Sequence, residues 1–164
     1  MDYAEIHRPT DGIQIIDDIT NQFGVDTLEG CIGPLMQGVA SQAHFIEMPP
    51  DLYVHEHPHA TESIIYTVRG QWIAVTDGKR HLMKPGSLFW FGPDIAAGYE
   101  IPFADPAFIL IFKGSILDTP EGFVSYLQDK LQPSLIEENK NGEPFRLSEL
   151  PEDHPARIFA RTVT

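Results

Sequence analysis

The run His55–Glu62 holds more potential metal ligands than any other stretch of this sequence. His55, His57 and His59 occupy alternate positions, and the carboxylate of Glu62 follows. Because alternate side chains of an extended strand point to one face, His55 and His57 can be directed at a single point, with His59 on the same side if the strand continues. Imidazole and carboxylate groups are ligands for divalent metals, so this spacing indicates metal chemistry.

Short β-strands are the elements that position this run. Between about Val39 and Lys113, apolar runs alternate with turn signals at a spacing typical of all-β sandwiches and barrels. The strongest turn signal is the pair Asp77-Gly78, which suits a two-residue type I′ hairpin. Eight strands are enough for a closed or rolled sheet, and we predict them over residues 39–48, 52–57, 62–69, 71–76, 79–83, 87–91, 97–101 and 107–113.

The segment before the predicted strands is less regular. Its short apolar stretch, residues 13–16, is either an edge strand or a single helical turn, and the glycines of residues 17–38 favour an irregular crossing segment. Regular β structure is therefore expected to begin at about Val39. The sequence predicts one domain with three parts, namely a lead over 1–38, a barrel over 39–114 and a C-terminal part over 115–164.

The C-terminal part begins with a helix signal. Thr119–Glu121 supplies an N-cap residue, a proline at the first helical position and an acid in the first turn. A helix is expected to run from there to about Leu131. The polar, proline-rich residues 133–156 predict an extended arm over the domain or over a partner subunit, and residues 157–162 predict a terminal strand.

Composition limits the classes of partner. The chain has 164 residues and a net charge of -13, which repels phosphate backbones and anionic lipid surfaces, so we expect neither nucleic acid nor membrane as a partner. The single cysteine, Cys31, excludes an internal disulfide. The N-terminal residues lack the regions of a signal peptide, and no apolar run is long enough to span a bilayer. These features predict a cytoplasmic protein.

Residues 38–114 resemble the cupin superfamily. Its first motif reads His-x-His, three or four residues, Glu, six residues and Gly, and this chain has His55, His57, Glu62 and Gly70 in that order. Seven residues separate Glu62 from Gly70, one more than in the family. Either a β-bulge absorbs the additional residue, or Ser63 occupies the ligand position and Glu62 points elsewhere.

The second cupin motif is present only in part. Residues 84–93 match its Pro-Gly turn and following strand, but Ala97 stands where family members carry a metal-binding histidine. The resemblance implies an all-β fold, a cupin jelly-roll (double-stranded β-helix) barrel with a C-terminal helix and an extended tail. It further implies a metal or ligand site inside the barrel.

Without a histidine at Ala97, the implied ligand set is His55, His57 and Glu62, with His59 as a further candidate. Two imidazoles and one carboxylate form the facial triad of non-haem Fe(II) oxygen chemistry, so Fe(II) is the favoured divalent ion, with Mn, Ni and Zn as alternatives. The first functional hypothesis is a metal-dependent dioxygenase of a small organic molecule. The alternative is a binding or sensing cupin with a degenerate or empty metal site.

Other residues bear on the substrate and on assembly. Tyr66 and Tyr99 are candidates for a catalytic proton donor, and a metal-independent isomerase with a histidine base and a tyrosine acid stays open. His44 and His81 are possible replacements for the missing ligand, although both strands expose alternate positions and surface or turn locations are favoured. The resemblance also implies a homodimer and a small-molecule ligand.

Overall fold

Ten strands form the body of the chain, which the computed structural model describes over residues 3–114 and 119–164. One antiparallel sheet has the order β1-β2-β3-β10-β5-β8 and the other β4-β9-β6-β7. The strands are β1 Val25–Thr27, β2 Gly30–Gln37, β3 Gln42–Met48, β4 Tyr53–His57, β5 Ser63–Arg69, β6 Trp72–Thr76, β7 Lys79–Met83, β8 Leu88–Phe91, β9 Ala97–Glu100 and β10 Ala107–Lys113.

The main core lies between the two sheets. On β5, Ser63, Ile65 and Thr67 are buried while Ile64 and Tyr66 are exposed, which is the period-two alternation of a strand with one face on the core. Burial of the apolar inner faces supplies the main driving force for closing the barrel. Fully buried side chains of both sheets meet there, among them Met48, Val54, Ile65, Trp72 and Ile109.

The predicted hairpin at Asp77-Gly78 is confirmed. Both residues have positive φ, 51° and 68°, and Thr76 pairs with Lys79 across the turn. Two consecutive positive φ angles are the requirement of a type I′ turn. Aspartate and glycine tolerate these angles better than other residues.

A helical layer follows the barrel. It consists of α1 Pro120–Tyr126, a π-helical stretch Leu127–Leu131, α2 Gln132–Lys140, a 3-10 turn Leu147–Glu149 and α3 Pro155–Val163. The predicted N-cap is confirmed, because Thr119 Oγ1 accepts a hydrogen bond of 3.1 Å from the Gly122 backbone N–H. Val124 and Leu127 are buried against the barrel core. No helix among these described residues is long and apolar enough to cross a membrane.

The predicted terminal strand is wrong, and the predicted extended arm is wrong over its first part. Residues 132–140 are helical, and the segment after them packs on this chain's own β4, where the Tyr53 N–H donates to the Phe145 carbonyl at 2.9 Å. Residues 155–163 form α3 because His154 Nδ1 accepts from the Ala156 N–H at 3.1 Å and Pro155 sets the first helical φ. The predicted start of the C-terminal part, residue 115, lies outside the described residues.

The predicted start of regular β structure at about Val39 is also wrong. Both β1 and β2 precede it, and their glycines permit close packing instead of breaking the strands. A Cβ on Gly30 would lie 2.6 Å from the Glu47 carbonyl oxygen, and one on Gly33 would lie 2.5 Å from the Phe45 ring. The apolar stretch at 13–16 contributes an isolated antiparallel bridge between Ile15 and His7.

Candidate functional site

The inner face of the barrel and the helical layer border a cavity of about 850 Å³. Ligand cavities for small molecules span roughly 300 to 1,000 Å³, so this space suits a compact organic molecule. The π-helical stretch Leu127–Leu131 covers part of it, and such irregular turns are frequent at functional sites. The apolar wall includes Ile32, Ile46, Ile65, Phe91, Ile111 and Phe123.

Three histidines of the run His55–Glu62 line this cavity. The ring centroids of His55 and His57 are 5.6 Å apart, and those of His57 and His59 are 4.6 Å apart. His57 Nδ1 lies 2.9 Å from the His55 carbonyl oxygen. His55 Nδ1 lies 2.9 Å from Glu143 Oε1 without the alignment of a hydrogen bond. The structure brings these histidines to one wall of the cavity. The Nδ1 atoms of His55 and His57 each lie close to an oxygen atom of this chain.

Glu62 lies outside the cavity, and Ser63 takes the inward position. Glu62 is exposed, whereas Ser63 is only 1% exposed and lines the cavity. The cause is strand alternation, because Ser63 shares the inner face of β5 with Ile65. Ser63 Oγ has no hydrogen-bond partner among the described residues. Ser63, and not Glu62, therefore faces the cavity, and the register of β5 against β10 also shifts by one residue between Thr67 and Arg69, as a β-bulge does.

His44 contradicts the expectation of a surface or turn location. It lies on the inner face of β3, is 5% exposed and lines the cavity, with its ring centroid 5.1 Å from that of Phe123. Its Nδ1 has no hydrogen-bond partner among the described residues. Burial, with smaller contributions from Lys113 and His59, lowers the pKa of His44 to about 3. His81, by contrast, is exposed on β7, as expected.

His59 has a similar environment. Its Nδ1 lacks a hydrogen-bond partner within the described part of the chain, and its ring lies 5.3 Å from that of Phe91. Burial and the nearby charges of His57 and Lys113 lower the pKa of His59 to about 4. His44 and His59 are therefore neutral at physiological pH, and each neutral imidazole offers one donor and one acceptor.

The two tyrosines proposed as proton donors lie in different places. Tyr99 is 7% exposed and lines the cavity, whereas Tyr66 is 39% exposed on the outer face of β5. Burial and the charge of Glu29 raise the pKa of Tyr99, so the phenol stays protonated. Tyr66 does not reach the cavity, and its proposed role there is withdrawn.

Glu29 and Lys113 are charged residues of the cavity that belong to neither of the two sequence motifs. Glu29 lies in the turn between β1 and β2, where burial raises the pKa of its carboxyl against the opposing effect of His57 and His55. Lys113 is the last residue of β10, and burial lowers the pKa of its amine. Both line the cavity. Only the packing of distant strands brings them there.

Comparison with known proteins agrees with this architecture. A family model described as the AraC-like ligand binding domain matches residues 39–118. Among solved structures, a putative ethanolamine utilization protein Q from Salmonella typhimurium LT2 superposes with a TM-score of 0.56 at 17% identity, over 67% of this chain and 92% of that one. The chain thus has the cupin fold. The predicted all-β barrel is thereby confirmed.

Two other solved structures are similar to this chain at comparably low identity. The protein TT1209 from Thermus thermophilus is 18% identical over 61% of this chain and 96% of that one, with a TM-score of 0.52. An RmlC-like cupin from Shewanella frigidimarina NCIMB 400 is 17% identical over 54% and 78%, with a TM-score of 0.48. No functionally curated protein matches the sequence. The similarities to TT1209 and to the ethanolamine utilization protein concern the fold alone.

The cavity of this cupin does not fit the predicted iron site. The predicted triad needs the Glu62 carboxylate beside His55 and His57, but Glu62 is exposed and does not line the cavity. Ala97, which pairs with His57 across β4 and β9, is fully buried and has no ligating atom. Over residues 3–114 and 119–164, no three His, Cys, Asp or Glu side chains are arranged to hold a metal ion. Divalent-metal binding stays a prediction from the cupin motif.

Proposed function

We propose that this cupin binds a small polar organic molecule in its barrel cavity. One observation carries the proposal, namely that three buried polar groups with neither a hydrogen bond nor an ion pair in the described chain face the same space. They are His44 Nδ1, His59 Nδ1 and Ser63 Oγ. The similarity of residues 39–118 to a ligand-binding family supports it.

The energetics of these groups favour a bound partner. A buried donor or acceptor without a hydrogen bond costs about 1–3 kcal/mol. Three of them in one cavity amount to a large fraction of the stability of an ordinary domain. A ligand whose hydroxyl, carbonyl or carboxylate groups reach all three offsets that cost on binding, and its apolar body contacts the isoleucines of the wall.

A blocking variant tests this proposal. Ser63→Phe places a large side chain in the cavity, while Ile64→Phe makes the same kind of change on the outer face of the same strand. We expect ligand-detected NMR with a library of small polar molecules to show binders for the wild type and for Ile64→Phe, and none of these for Ser63→Phe. Binding that survives Ser63→Phe, or the absence of binders for the wild type, contradicts a ligand site in the barrel.

The metal-dependent dioxygenase remains a separate prediction. It requires His55 and His57 to hold an ion with a ligand other than Glu62. Elemental analysis of protein loaded anaerobically with Fe(II), Mn(II), Ni(II) or Zn(II) tests it, with His57→Ala as the variant that must lose the ion. Retention of stoichiometric metal by the wild type alone supports the prediction, and no retention contradicts it.

We also propose that two copies associate through the outer face of β5, β8 and β10. Cross-strand neighbours there form an exposed apolar patch, which consists of Ile64, Tyr66, Leu88, Trp90 and Phe112. Within the described sheets, β8 is an edge strand, and antiparallel pairing of β8 with its own copy is self-complementary about a twofold axis. Such pairing continues the apolar patch across the dimer.

Size-exclusion chromatography with light scattering tests the association. Trp90→Glu puts a charge on the edge strand of the patch, and Ile158→Glu makes the same change at an exposed apolar residue of α3. We expect a dimer for the wild type and for Ile158→Glu, and a monomer for Trp90→Glu. A monomeric wild type, or a dimer in all three, rules out this interface.

A further inference from the structure

Lys113 is the more buried of two lysines at the cavity. Lys113 is partly buried on the inner face of β10, while Lys130 is exposed on the π-helical stretch. Among the described residues, no carboxylate lies within 4.0 Å of the Lys113 ammonium. A partly desolvated ammonium without a counter-charge is unfavourable. In a chain of net charge -13, its position inside the barrel is informative.

The strand register surrounds Lys113 with the cavity's unsatisfied polar groups. Lys113 pairs with Gln42, and Ile111 pairs with His44, so His44 is a diagonal neighbour of Lys113 on the inner face. On the other side, Phe112 pairs with Ile64. Ser63 therefore lies next to Lys113 on the inner face of β5. The electrostatic influence of Lys113 on both His44 and His59 agrees with this proximity.

The acidic residues that line the cavity, Glu29, Asp129 and Glu138, lie in the turn between β1 and β2 and in the helical layer. Glu29 interacts electrostatically with His55 and His57, and its charge also acts on Tyr99. Lys113 instead acts on His44 and His59. The cavity consequently has Lys113, His44 and Ser63 together on the barrel strands, the carboxylates of Glu29, Asp129 and Glu138 on the β1–β2 turn and the helical layer, and an apolar wall that includes Ile46, Ile65 and Ile111.

We infer that the ligand is a small organic monocarboxylate whose carboxylate binds Lys113. This inference rests on the proposed function, because it names the class of molecule that the cavity takes. A carboxylate accepts charge-assisted hydrogen bonds from the ammonium and further ones from His44, His59 and Ser63, which have donors to spare. A hydroxyl or amine at the far end of the ligand donates to Glu29, and the aliphatic or aromatic body lies on the apolar wall. A second anionic group near Glu29 is disfavoured by like-charge repulsion.

Matched pairs of acids and amides test the inference. The probes are small monocarboxylates, each paired with its own primary amide, for example 4-hydroxyphenylacetate with 4-hydroxyphenylacetamide. The amide keeps the size and the hydrogen bonding of the acid but removes the negative charge. Isothermal titration at pH 7 of the full chain measures both members of each pair. For pairs that bind, we expect the acid to bind at least about tenfold more tightly, a difference of about 1.4 kcal/mol.

Three variants locate the source of this preference. Lys113→Met removes the ammonium and is expected to abolish the preference for acids, whereas Lys113→Arg keeps a cation and retains it. Lys130→Met is the matched control, because Lys130 also borders the cavity but is exposed, and it is expected to leave the preference unchanged. Circular dichroism establishes that each variant folds, with Lys113→Gln as the replacement if Lys113→Met does not.

The possible results distinguish a failure of the monocarboxylate inference from a failure of the proposed ligand binding. Equal affinities for acids and amides in the wild type overturn the role of Lys113 while leaving ligand binding in place. A preference that is lost in Lys130→Met and kept in Lys113→Met overturns it as well. If no acid, no amide and no member of the wider small-molecule library binds, ligand binding itself is overturned.

Discussion

Two groups of buried polar side chains lie in the same barrel, and they differ in how well their hydrogen bonds are satisfied. In the four-stranded sheet, Arg80 on β7 donates from Nη2 to Glu100 Oε1 at 2.8 Å and from Nε to Glu100 Oε2 at 3.1 Å. Nearby in the core, Trp72 Nε1 donates to Thr67 Oγ1 at 2.9 Å. At the cavity, the buried polar atoms of His44, His59 and Ser63 have no partners within the described residues.

Burial is therefore not what separates the two groups. Glu100 is 2% exposed and Ser63 is 1% exposed. Only Glu100 has a side-chain partner within the described residues, namely Arg80. Buried polar groups are nearly always satisfied in native proteins, so the exceptions at the cavity have a role outside the fold. The comparison separates a first group that stabilises the barrel from a second group that, as we propose, recognises a ligand.

The largest effect is expected from breaking the Arg80–Glu100 pair. Arg80→Met leaves the Glu100 carboxylate buried without a partner, which costs about 3–5 kcal/mol. Urea unfolding at pH 7 measures the loss. The control is Arg69→Met, which removes an ion pair with Glu47 in which both side chains are more than a third exposed and is expected to cost at most about 1 kcal/mol. Equal costs for the two variants contradict the structural role of the buried pair.

A second, smaller effect concerns pH. In the unfolded chain the pKa of histidine is about 6.5, whereas in the folded protein the pKa is lowered to about 3 for His44 and about 4 for His59. Below pH 6.5 the unfolded state thus binds protons that the native state does not. The free energy of unfolding is expected to decrease as the pH falls from about 6.5 towards 4.

The variant His44→Phe isolates one share of this pH dependence. It removes one of the two protons, so its stability is expected to fall less steeply than that of the wild type, by up to about 1.4 kcal/mol per pH unit. His81→Phe, at an exposed position on β7, is expected to keep the wild-type slope. Urea midpoints between pH 7 and 4.5 provide the measurement. Parallel curves for His44→Phe and the wild type contradict a neutral, buried His44.

Local signals in the sequence were sufficient for some of these features. The turn at Asp77-Gly78 and the N-cap at Thr119 depend on residues adjacent in the chain, and both were predicted correctly. The alternation of the histidines on β4 indicated a common wall for the same reason. Where a structure depends on a few neighbouring residues, their chemistry is enough to predict it.

The rest of the cavity depends on contacts that are distant in sequence. His44 lies on a strand that is buried on both faces, since Phe45 packs in a second apolar cluster, so alternation with water on one side gives no signal there. Lys113 and Glu29 reach the cavity only through strand register and packing. The terminal helix α3 was missed because its histidine cap outweighs the strand preference of Ile158 and Phe159.

The most direct test compares two buried hydroxyls on the inner face of β5. Thr67 and Ser63 are almost fully buried, but only Thr67 has a hydrogen-bond partner in the described chain. We predict that Thr67→Val, which leaves the Trp72 N–H unpaired, lowers the free energy of unfolding by about 1–3 kcal/mol. Ser63→Ala is predicted to change it by less than about 0.5 kcal/mol, or to raise it. Urea unfolding of the ligand-free protein at pH 7 gives both values, and a cost for Ser63→Ala as large as that for Thr67→Val contradicts a cavity whose polar groups serve a ligand.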